Sequence, residues 1–398
     1  MPAGRSNSRP LPVTAPGKDQ AGTGMARILL AAGGTGGHLF PAEALAEELA
    51  RRGHVVELAT DERADRYGKA FPARKIHIVS AATIAGRSPM ALARTGMALL
   101  RGLVQANGIL GGLKPDVVVG FGGYPTLPPL VAAFLRRVPS VLHEANAVMG
   151  RANRLLGRVA SAVATSFPTT RGAEAFAAKL VPVGNPVRPA VLAAADIAYD
   201  APAPGGGFRL LVFGGSQGAR FFSEILPATM ALLPEDARAR LRLVQQCRAE
   251  DIEAVRAAYD ALGLDAELAP FFTDLPARIA ASHLVICRSG ASTVMELAAI
   301  GRPSILVPFP HALDADQAEN AAALAAAGGA DVIAQRDLDA ARLAAMIEAR
   351  MADPAALGRV AVAARTTGRP EAVLRLADLV EHIAGGGRAD SFQSGDPS

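Results

Sequence analysis

The sequence contains no tryptophan, and only 5% of its 398 residues are aromatic. Its core volume must therefore come from aliphatic side chains, which suits helices packed on parallel strands. The two cysteines, Cys247 and Cys287, form no Cys-x-x-Cys or Cys–His spacing, so no disulfide framework and no zinc site are predicted. A reducing cytosol is the expected compartment.

Long apolar runs are also missing, since none reaches the roughly 18 to 20 residues that a membrane-spanning helix needs. Residues 1–24 are polar and rich in Pro, Gly and Ser, without the apolar stretch of a secretory signal, and we expect them to form a disordered tail. The formal charge of +4 is too small for a nucleic-acid binder, so no nucleic-acid partner is expected. An anionic small substrate or an anionic membrane surface fits this charge equally well.

Short apolar runs alternate with helical patterns along both halves of the chain, which predicts parallel sheets covered by helices, an α/β fold. Predicted strands include 28–32, 55–58, 75–79, 116–119, 140–143, 161–165, 242–245, 284–287 and 304–307. The strand and loop at 27–36 can be aligned with 209–218, so that Gly33 lies opposite Gly215. This repeat predicts one domain type used twice. The Pro- and Gly-rich stretch 184–207 is the predicted linker, and a last helix is predicted at 371–383.

Glycine-rich loops follow several of these strands. The first, Gly33 to His38, suits a phosphate held at a helix N-terminus, with Pro41 in the first turn of the helix, or it only makes a tight turn. A Walker A lysine and the third glycine of a dinucleotide fingerprint are both missing, which disfavours a dehydrogenase. His38 could act as a general base or could hydrogen-bond the backbone or a phosphate.

Further candidate loops occur at 120–125, 143–146, 213–220 and 287–296, each after a predicted strand. Each is either an anion or substrate site or an ordinary turn, and Asn146 could instead cap a helix. The Glu296 carboxylate could accept hydrogen bonds from both ribose hydroxyls, or could serve the helix dipole. The amides of Gln317 and Asn320 suit sugar hydroxyls, or serve ordinary loop and cap chemistry.

A metal site is not indicated, because no Asp-x-Asp pair directly follows a strand, and Asp314 and Asp316 follow a proline-bearing loop. We therefore expect no obligatory metal or cofactor, with helix dipoles and arginine stabilising a leaving group, while an assisting divalent cation stays open.

Taken in order, seven motifs resemble those of the MurG family of glycosyltransferases over roughly residues 27–383. They are Gly33–His38, Phe40-Pro41, Gly122–Tyr124, His143-Glu144 with Asn146, Gly184–Arg188, Gly214–Arg220 and Cys287–Glu296. The resemblance implies a GT-B fold, two Rossmann-like domains whose parallel sheets face each other across a cleft. The implied domains are 25–188, joined by a C-terminal helix at 371–384, and 189–370, with a disordered tail at 385–398.

The same resemblance implies an inverting hexosyltransferase that moves GlcNAc from UDP-GlcNAc to the MurNAc 4-hydroxyl of lipid I, forming lipid II in peptidoglycan synthesis. It implies roles in cell-wall biogenesis, cell shape and cell division, with partners in the elongation and division machinery. The implied location is the cytoplasmic face of the bacterial inner membrane, as a peripheral protein.

Site residues carried over by the resemblance fall into three groups. His38 is the candidate base or acceptor clamp, and Gly122, Gly123 and Tyr124 would face the lipid diphosphate. The implied UDP-GlcNAc contacts are Thr35, Gly36, Gly37, Asn146, Arg188, Ser216, Phe272 (by its backbone and ring at the uracil), Ala291, Ser292, Thr293, Val294, Met295, Glu296 and Gln317. Ala145 and Ser292 depart from the residues found in many relatives.

Three arginines, Arg87, Arg94 and Arg101, recur every seven residues within 84–114 and share a helix face with apolar neighbours. This pattern suits an anionic membrane surface, or the solvated face of an ordinary amphipathic helix. Competing functions are a UDP-GlcNAc 2-epimerase, a non-catalytic UDP-sugar-binding subunit and, less favoured, the dehydrogenase.

Overall fold

The computed structural model describes residues 24–33, 36–62, 71–81, 88–215, 220–312 and 315–392. The predicted features that lie outside the described residues are the tail residues 1–23 and 393–398, Gly34 and Thr35 of the first glycine loop, Arg87, Asp314, and Ser216 with the rest of its loop.

The first sheet has seven strands, all paired in parallel, in the order β3-β2-β1-β4-β5-β6-β7. Its central strands are short and aliphatic, and Ile28, Leu29 and Leu30 are fully buried between helices on the two faces. The strands are β1 (Arg27–Ala31), β2 (Val55–Thr60), β3 (Lys75–Ile78), β4 (Val117–Gly120), β5 (Ser140–Glu144), β6 (Ala162–Thr165) and β7 (Leu180–Pro182).

Four helices occur among these strands: α1 (Gly36–Arg51), α2 (Pro89–Leu113), α3 (Leu127–Leu135) and α4 (Arg151–Leu156). Because α1 already begins at Gly36, Pro41 lies inside the helix, and its predicted place in the first turn is wrong. Short 3-10 turns cover Tyr124–Thr126 and Glu174–Lys179.

The second sheet has six parallel strands in the order β10-β9-β8-β11-β12-β13. Its strands are β8 (Phe208–Phe213), β9 (Leu241–Gln246), β10 (Ala266–Ala269), β11 (Leu284–Cys287), β12 (Ser304–Leu306) and β13 (Ala330–Val332). Its helices are α5 (Pro189–Ala195), α6 (Arg220–Leu232), α7 (Glu235–Arg240), α8 (Ile252–Ala261), α9 (Leu275–Ala281), α10 (Ala291–Ile300), α11 (Asp316–Ala326), α12 (Ala340–Ala352) and α13 (Pro354–Thr366).

The two sheets reverse their strand order at equivalent places. In the first sheet β1 lies between β2 and β4, and in the second β8 lies between β9 and β11. Crevices that open at such reversals, outside the carboxyl ends of the strands, are the usual ligand sites of open α/β sheets. The internal repeat seen in the sequence therefore aligns β1 with β8, the strands at which the strand order reverses. The GT-B expectation of two Rossmann-like units is confirmed.

Three strands, β7, β10 and β13, were not predicted. Each has only three or four residues and lies at a sheet edge, where a short segment carries little periodic signal. The predicted linker also contains a helix, α5, whose Val191 is fully buried.

The last helix, α14 (Ala372–Ala384), returns to the first sheet. Leu376, Leu379 and Val380 are fully buried in the same apolar cluster as strands β1 and β4. At one end of this contact Arg52 donates to Asp378 at 2.6 Å and to Glu381 at 2.8 Å.

The chain remains packed beyond this helix. Ala389 is buried and Phe392 packs against the same cluster, so the predicted disorder after Gly385 is wrong as far as residue 392. Polar composition suggested a tail, but two apolar residues are enough to hold this segment against the core. Within the described ranges, no helix combines the length and apolarity that crossing a membrane requires.

Replacing Leu376 with Ala should lower the free energy of unfolding by about 2 to 5 kcal/mol, because it opens a cavity between α14 and the first sheet. Leu374→Ala, on the same helix but 43% exposed, is the matched control and should cost less than about 0.5 kcal/mol. Urea unfolding measures both, and equal effects would show that α14 is not part of this core.

Candidate functional site

The loops predicted to carry chemistry all follow the carboxyl ends of strands β1, β4, β5, β8 and β11. Parallel strands bring their carboxyl ends to one edge of a sheet, so the loops of each unit are gathered at a single edge. Contacts between the two sets of loops close part of the cleft between the two units.

His38 lies in the first turn of α1, against the glycine loop that follows β4. A Cβ atom built on Gly122 would lie 3.4 Å from His38 Cδ2, and one built on Gly123 would lie 3.4 Å from His38 Cε1. Both glycines have positive φ, +88° and +77°, a backbone conformation that residues with a side chain rarely adopt. The structure thus brings the predicted base and the predicted acceptor loop, with half-buried Tyr124, into one pocket.

Glu144 organises the loop after β5. Its carboxylate accepts hydrogen bonds from Asn146 N at 2.9 Å, Gly150 N at 2.9 Å and Asn153 Nδ2 at 2.8 Å. Burial raises the pKa of this carboxyl, and the three donors oppose that rise. Helix α4 begins only at Arg151, after Gly150, so the alternative that Asn146 caps a helix is wrong.

Asn320 joins the two units across the cleft. Its side-chain oxygen accepts from Ala147 N at 2.8 Å, and its amide nitrogen donates to Asn146 Oδ1 at 3.1 Å and to Ser289 O at 3.3 Å. The side chain is fully buried. In this arrangement the amide that was considered for sugar hydroxyls is engaged with protein groups from both sheets.

A second link across the cleft is made by Arg188, which precedes α5. Its guanidinium lies over the ring of Phe40, 4.0 Å from the centroid, and its Nη2 is 3.5 Å from Glu296 Oε1. Burial raises the pKa of Glu296, and the charge of Arg188 partly offsets that effect. Arg188 Nε is buried and has no hydrogen-bond partner among the described residues.

Helix α10 presents its N-terminus to the cleft, with Gly290 as the residue before its first turn. The backbone N–H groups of Ala291, Ser292 and Thr293 have no partner within the helix, so this end can hold an anion. Ser292 Oγ is buried and has no hydrogen-bond partner in the part of the chain that the structure describes.

The next residues of the helix, Val294 and Met295, are buried. Met295 packs with Ala147 and Phe167 of the first unit. Met295 therefore makes an apolar contact between the two units. It lies on the same helix as the polar groups that can face a ligand.

The ring predicted to meet the uracil is largely buried. Phe272 is 7% exposed, and the guanidinium of Arg278 lies 4.3 Å from its ring centroid, so one face of the ring is already covered. Its neighbour Phe271 is 52% exposed. The sequence does not distinguish the two rings, because buried and exposed phenylalanines look alike in a sequence.

Gln317, in the first turn of α11, has its amide orientation set by the protein. Its Oε1 accepts from Phe309 N at 2.9 Å, and its backbone carbonyl accepts from Ser289 Oγ at 2.8 Å. The group that this amide can offer to a ligand is therefore its Nε2 donor. Gly36 and Gly37 form the start of α1, where Gly37 is exposed.

No group of three or more metal-ligating side chains occurs in the part of the chain that the structure describes. The expectation of no obligatory metal stays a prediction.

Comparison with known proteins agrees with this geometry. The glycosyltransferase family 28 N-terminal domain matches residues 28–165, and the family 28 C-terminal domain matches residues 209–376. A relative from Sinorhizobium fredii (strain NBRC 101917 / NGR234) is 57% identical over 366 residues, 92% of this chain and 98% of its own. That protein is named UDP-N-acetylglucosamine--N-acetylmuramyl-(pentapeptide) pyrophosphoryl-undecaprenol N-acetylglucosamine transferase.

Among solved structures, MurG from Acinetobacter baumannii matches with a TM-score of 0.72 and 30% identity, over 89% of this chain and 99% of that one. A UDP-GlcNAc 2-epimerase from Neisseria meningitidis matches with a TM-score of 0.63 at 13% identity, over 88% and 98% of the two chains, a likeness of fold alone.

Fold and site together define a glycosyltransferase of the GT-B class. Within that class the chain belongs to glycosyltransferase family 28 and to its MurG branch.

Behind the site, His143 is fully buried on β5, with Nε2 3.2 Å from Gly184 O and 3.3 Å from Ser166 Oγ. Its pKa is lowered from 6.5 to about 4, chiefly by burial; the hydrogen bond to Gly184 opposes this shift and the charge of nearby His38 adds to it. The imidazole is therefore neutral at neutral pH.

This shift predicts a pH dependence of stability. The unfolded chain takes up a proton at His143 near pH 6.5 and the folded chain only near pH 4, so stability is lost as the pH falls through that window. The contribution of this one site approaches about 1.4 kcal/mol per pH unit. His143→Gln should flatten the slope by that amount, and His311→Gln, at an exposed loop position, should leave it unchanged. Chemical unfolding at several pH values measures the difference, and identical slopes in wild type and His143→Gln would contradict it.

Proposed function

We propose that this protein transfers GlcNAc from UDP-GlcNAc to the MurNAc 4-hydroxyl of undecaprenyl-pyrophosphoryl-MurNAc-pentapeptide, converting lipid I to lipid II. The observation that carries this proposal is Arg188, which contacts Phe40, two residues after His38, and Glu296 of the second unit. One side chain thus ties the candidate base on α1 to the candidate donor site on α10. The names of relatives 56 to 57% identical over 92% of the chain support the substrates.

The donor would lie mainly on the second unit. In this proposal the N-terminus of α10, Arg188 and Ser216 hold the diphosphate, and the Glu296 carboxylate accepts from the ribose hydroxyls. The exposed ring of Phe271 stacks on the uracil, while Phe272 contributes its backbone. Gln317 donates to a hydroxyl of the sugar, with Thr35, Gly36, Gly37 and Asn146 completing the site from the first unit.

The acceptor diphosphate would lie on the glycine loop of the first unit. Glycines let the backbone N–H groups of a loop approach a phosphate closely, and here that loop packs on His38. The 4-hydroxyl of the acceptor is then brought toward the anomeric carbon from the side opposite the leaving group.

Transfer takes place in a single displacement. The acceptor oxygen forms a bond to the anomeric carbon while the bond from that carbon to the phosphate oxygen breaks, so the configuration inverts and UDP leaves. His38 accepts the proton of the hydroxyl or positions the acceptor, and Arg188 with the α10 N-terminus stabilises the negative charge on UDP. These groups provide the stabilisation without an obligatory metal ion or cofactor.

The first experiment measures transfer from radiolabelled UDP-GlcNAc to a lipid I analogue. Wild type should form lipid II, and His38→Ala should lower kcat by about 10²- to 10⁴-fold with little change in donor affinity. Release of free ManNAc or UDP-ManNAc without acceptor would instead indicate an epimerase. Binding of UDP with no turnover on any acceptor would indicate a non-catalytic subunit.

We also propose that α2 attaches the protein to the cytoplasmic face of the inner membrane, near the elongation and division machinery. Four apolar side chains of this helix are more than half exposed, namely Met90, Met97, Leu100 and Val104. Arg94 and Arg101 are exposed on the same helix. Apolar side chains that enter the headgroup region and cations that meet anionic lipids reinforce each other.

Reversing both charges, Arg94→Glu with Arg101→Glu, should weaken sedimentation with anionic liposomes at least tenfold, since each cation near the surface contributes about 1 kcal/mol. UDP affinity should not change. The matched control, Arg336→Glu with Arg359→Glu, reverses two exposed arginines of the second unit and should leave sedimentation unaltered. Unchanged sedimentation of the α2 variant would contradict the proposal that α2 binds the membrane.

A further inference from the structure

Arg288 is a buried cation directly after β11 that has no carboxylate partner among the described residues. Only 7% of it is exposed, and its guanidinium is enclosed by the rings of Phe221, Phe222 and Phe309, at 5.2 to 5.5 Å from their centroids. Burying a charge among neutral groups costs free energy, so its position calls for a physical reason.

Two of the three hydrogen bonds of this guanidinium go to consecutive backbone carbonyls, at Val307 and at the first residue of the following loop. Nη1 donates to Val307 O at 3.1 Å and to Pro308 O at 3.3 Å, and Nη2 donates to Gln335 Oε1 at 2.6 Å. The loop is Pro308-Phe309-Pro310, and because proline lacks an N–H, Phe309 supplies its one backbone donor. That donor is bonded to Gln317 Oε1 at 2.9 Å.

These two bonds share a single peptide unit. The carbonyl of Pro308 and the N–H of Phe309 belong to the same planar amide and point in opposite directions. When Arg288 holds the carbonyl, it therefore also fixes the direction of the N–H that orients Gln317. A cation at the carbonyl polarises the amide as well, which strengthens its N–H as a donor.

We propose that Arg288 is a positioning residue for the sugar of the donor, acting on Gln317 through the Pro308–Phe309 peptide. It makes no contact with the donor itself. Without it, the loop loses its anchor, the Gln317 amide can turn, and the Nε2 donor no longer points in one direction. The role in sugar binding rests on the proposed function, because Gln317 is there the contact to the sugar.

The test compares affinities for UDP-GlcNAc and for UDP, measured by calorimetry on the full chain. Arg288→Met should weaken UDP-GlcNAc binding about five- to tenfold, the loss of one oriented hydrogen bond, and UDP binding less than twofold. Arg288→Lys, which can still donate to the Pro308 carbonyl, should recover most of the loss. If Arg288→Met does not fold, Arg288→Gln makes the same comparison.

A double variant distinguishes the loss of Gln317 positioning from a general loss of structure. In a Gln317→Ala background, Arg288→Met should cause no further loss of selectivity, because both changes remove the same contact. Arg302→Met is the matched control: Arg302 is also a buried arginine of the second unit that donates to backbone carbonyls, but those of Ala280, Ile300 and Ile197. It should lower stability without changing the ratio of the two affinities.

Losses that add in the double variant, or equal losses for UDP and UDP-GlcNAc, would overturn the proposal. Hydrogen exchange of the Phe309 amide, followed by NMR without ligand, tests the positioning of Gln317 independently of the proposed function. Faster exchange in Arg288→Met than in Arg302→Met supports the positioning of Gln317 even if Gln317→Ala shows no sugar contact. Unchanged exchange would reject the positioning itself.

Discussion

The parallel direction of the strands is the constraint on which the rest of this structure depends. A parallel strand can be followed by its neighbour only after a crossover, so every loop that leaves a strand emerges at the same edge of its sheet. In this chain that geometry gathers the loops after β1, β4 and β5 in one unit and those after β8 and β11 in the other. The chain returns through α14 to the first sheet, whose core that helix completes.

Three contacts across the cleft involve residues near the candidate site. Asn320 links the loop after β5 to Ser289, Arg188 links Phe40 to Glu296, and Met295 seals an apolar contact with Phe167. Each of these residues lies next to a position proposed to bind the donor. Closure of the cleft and assembly of the site therefore use the same side chains, so a donor that binds between the units acts on the contacts that join them.

Several site features could be read from the chain because they depend on local chemistry. A glycine loop between a strand and a helix marks a candidate anion site from local sequence alone, and the loops at Gly122 and Gly290 are both found at strand ends. Other features depend on neighbours that are distant in sequence. Phe271 and Phe272 are the same residue type, and only the structure shows that the second is buried against Arg278 while the first is exposed. Asn146 resembled a helix cap until the structure showed its partner to be Asn320, 174 residues further along the chain.

By itself, the sequence determined the α/β class, the repeat of one unit, the strands that carry the site and the glycine loops that follow them, because periodicity and backbone freedom are local properties. Only the tertiary structure decided which charges are paired. Three arginines illustrate this. Arg188 meets a carboxylate, and Arg288 holds a loop through its carbonyls. Arg302 is surrounded by carbonyls at the opposite end of β12. Their roles differ because burial and partners are set by chain segments that come together only on folding.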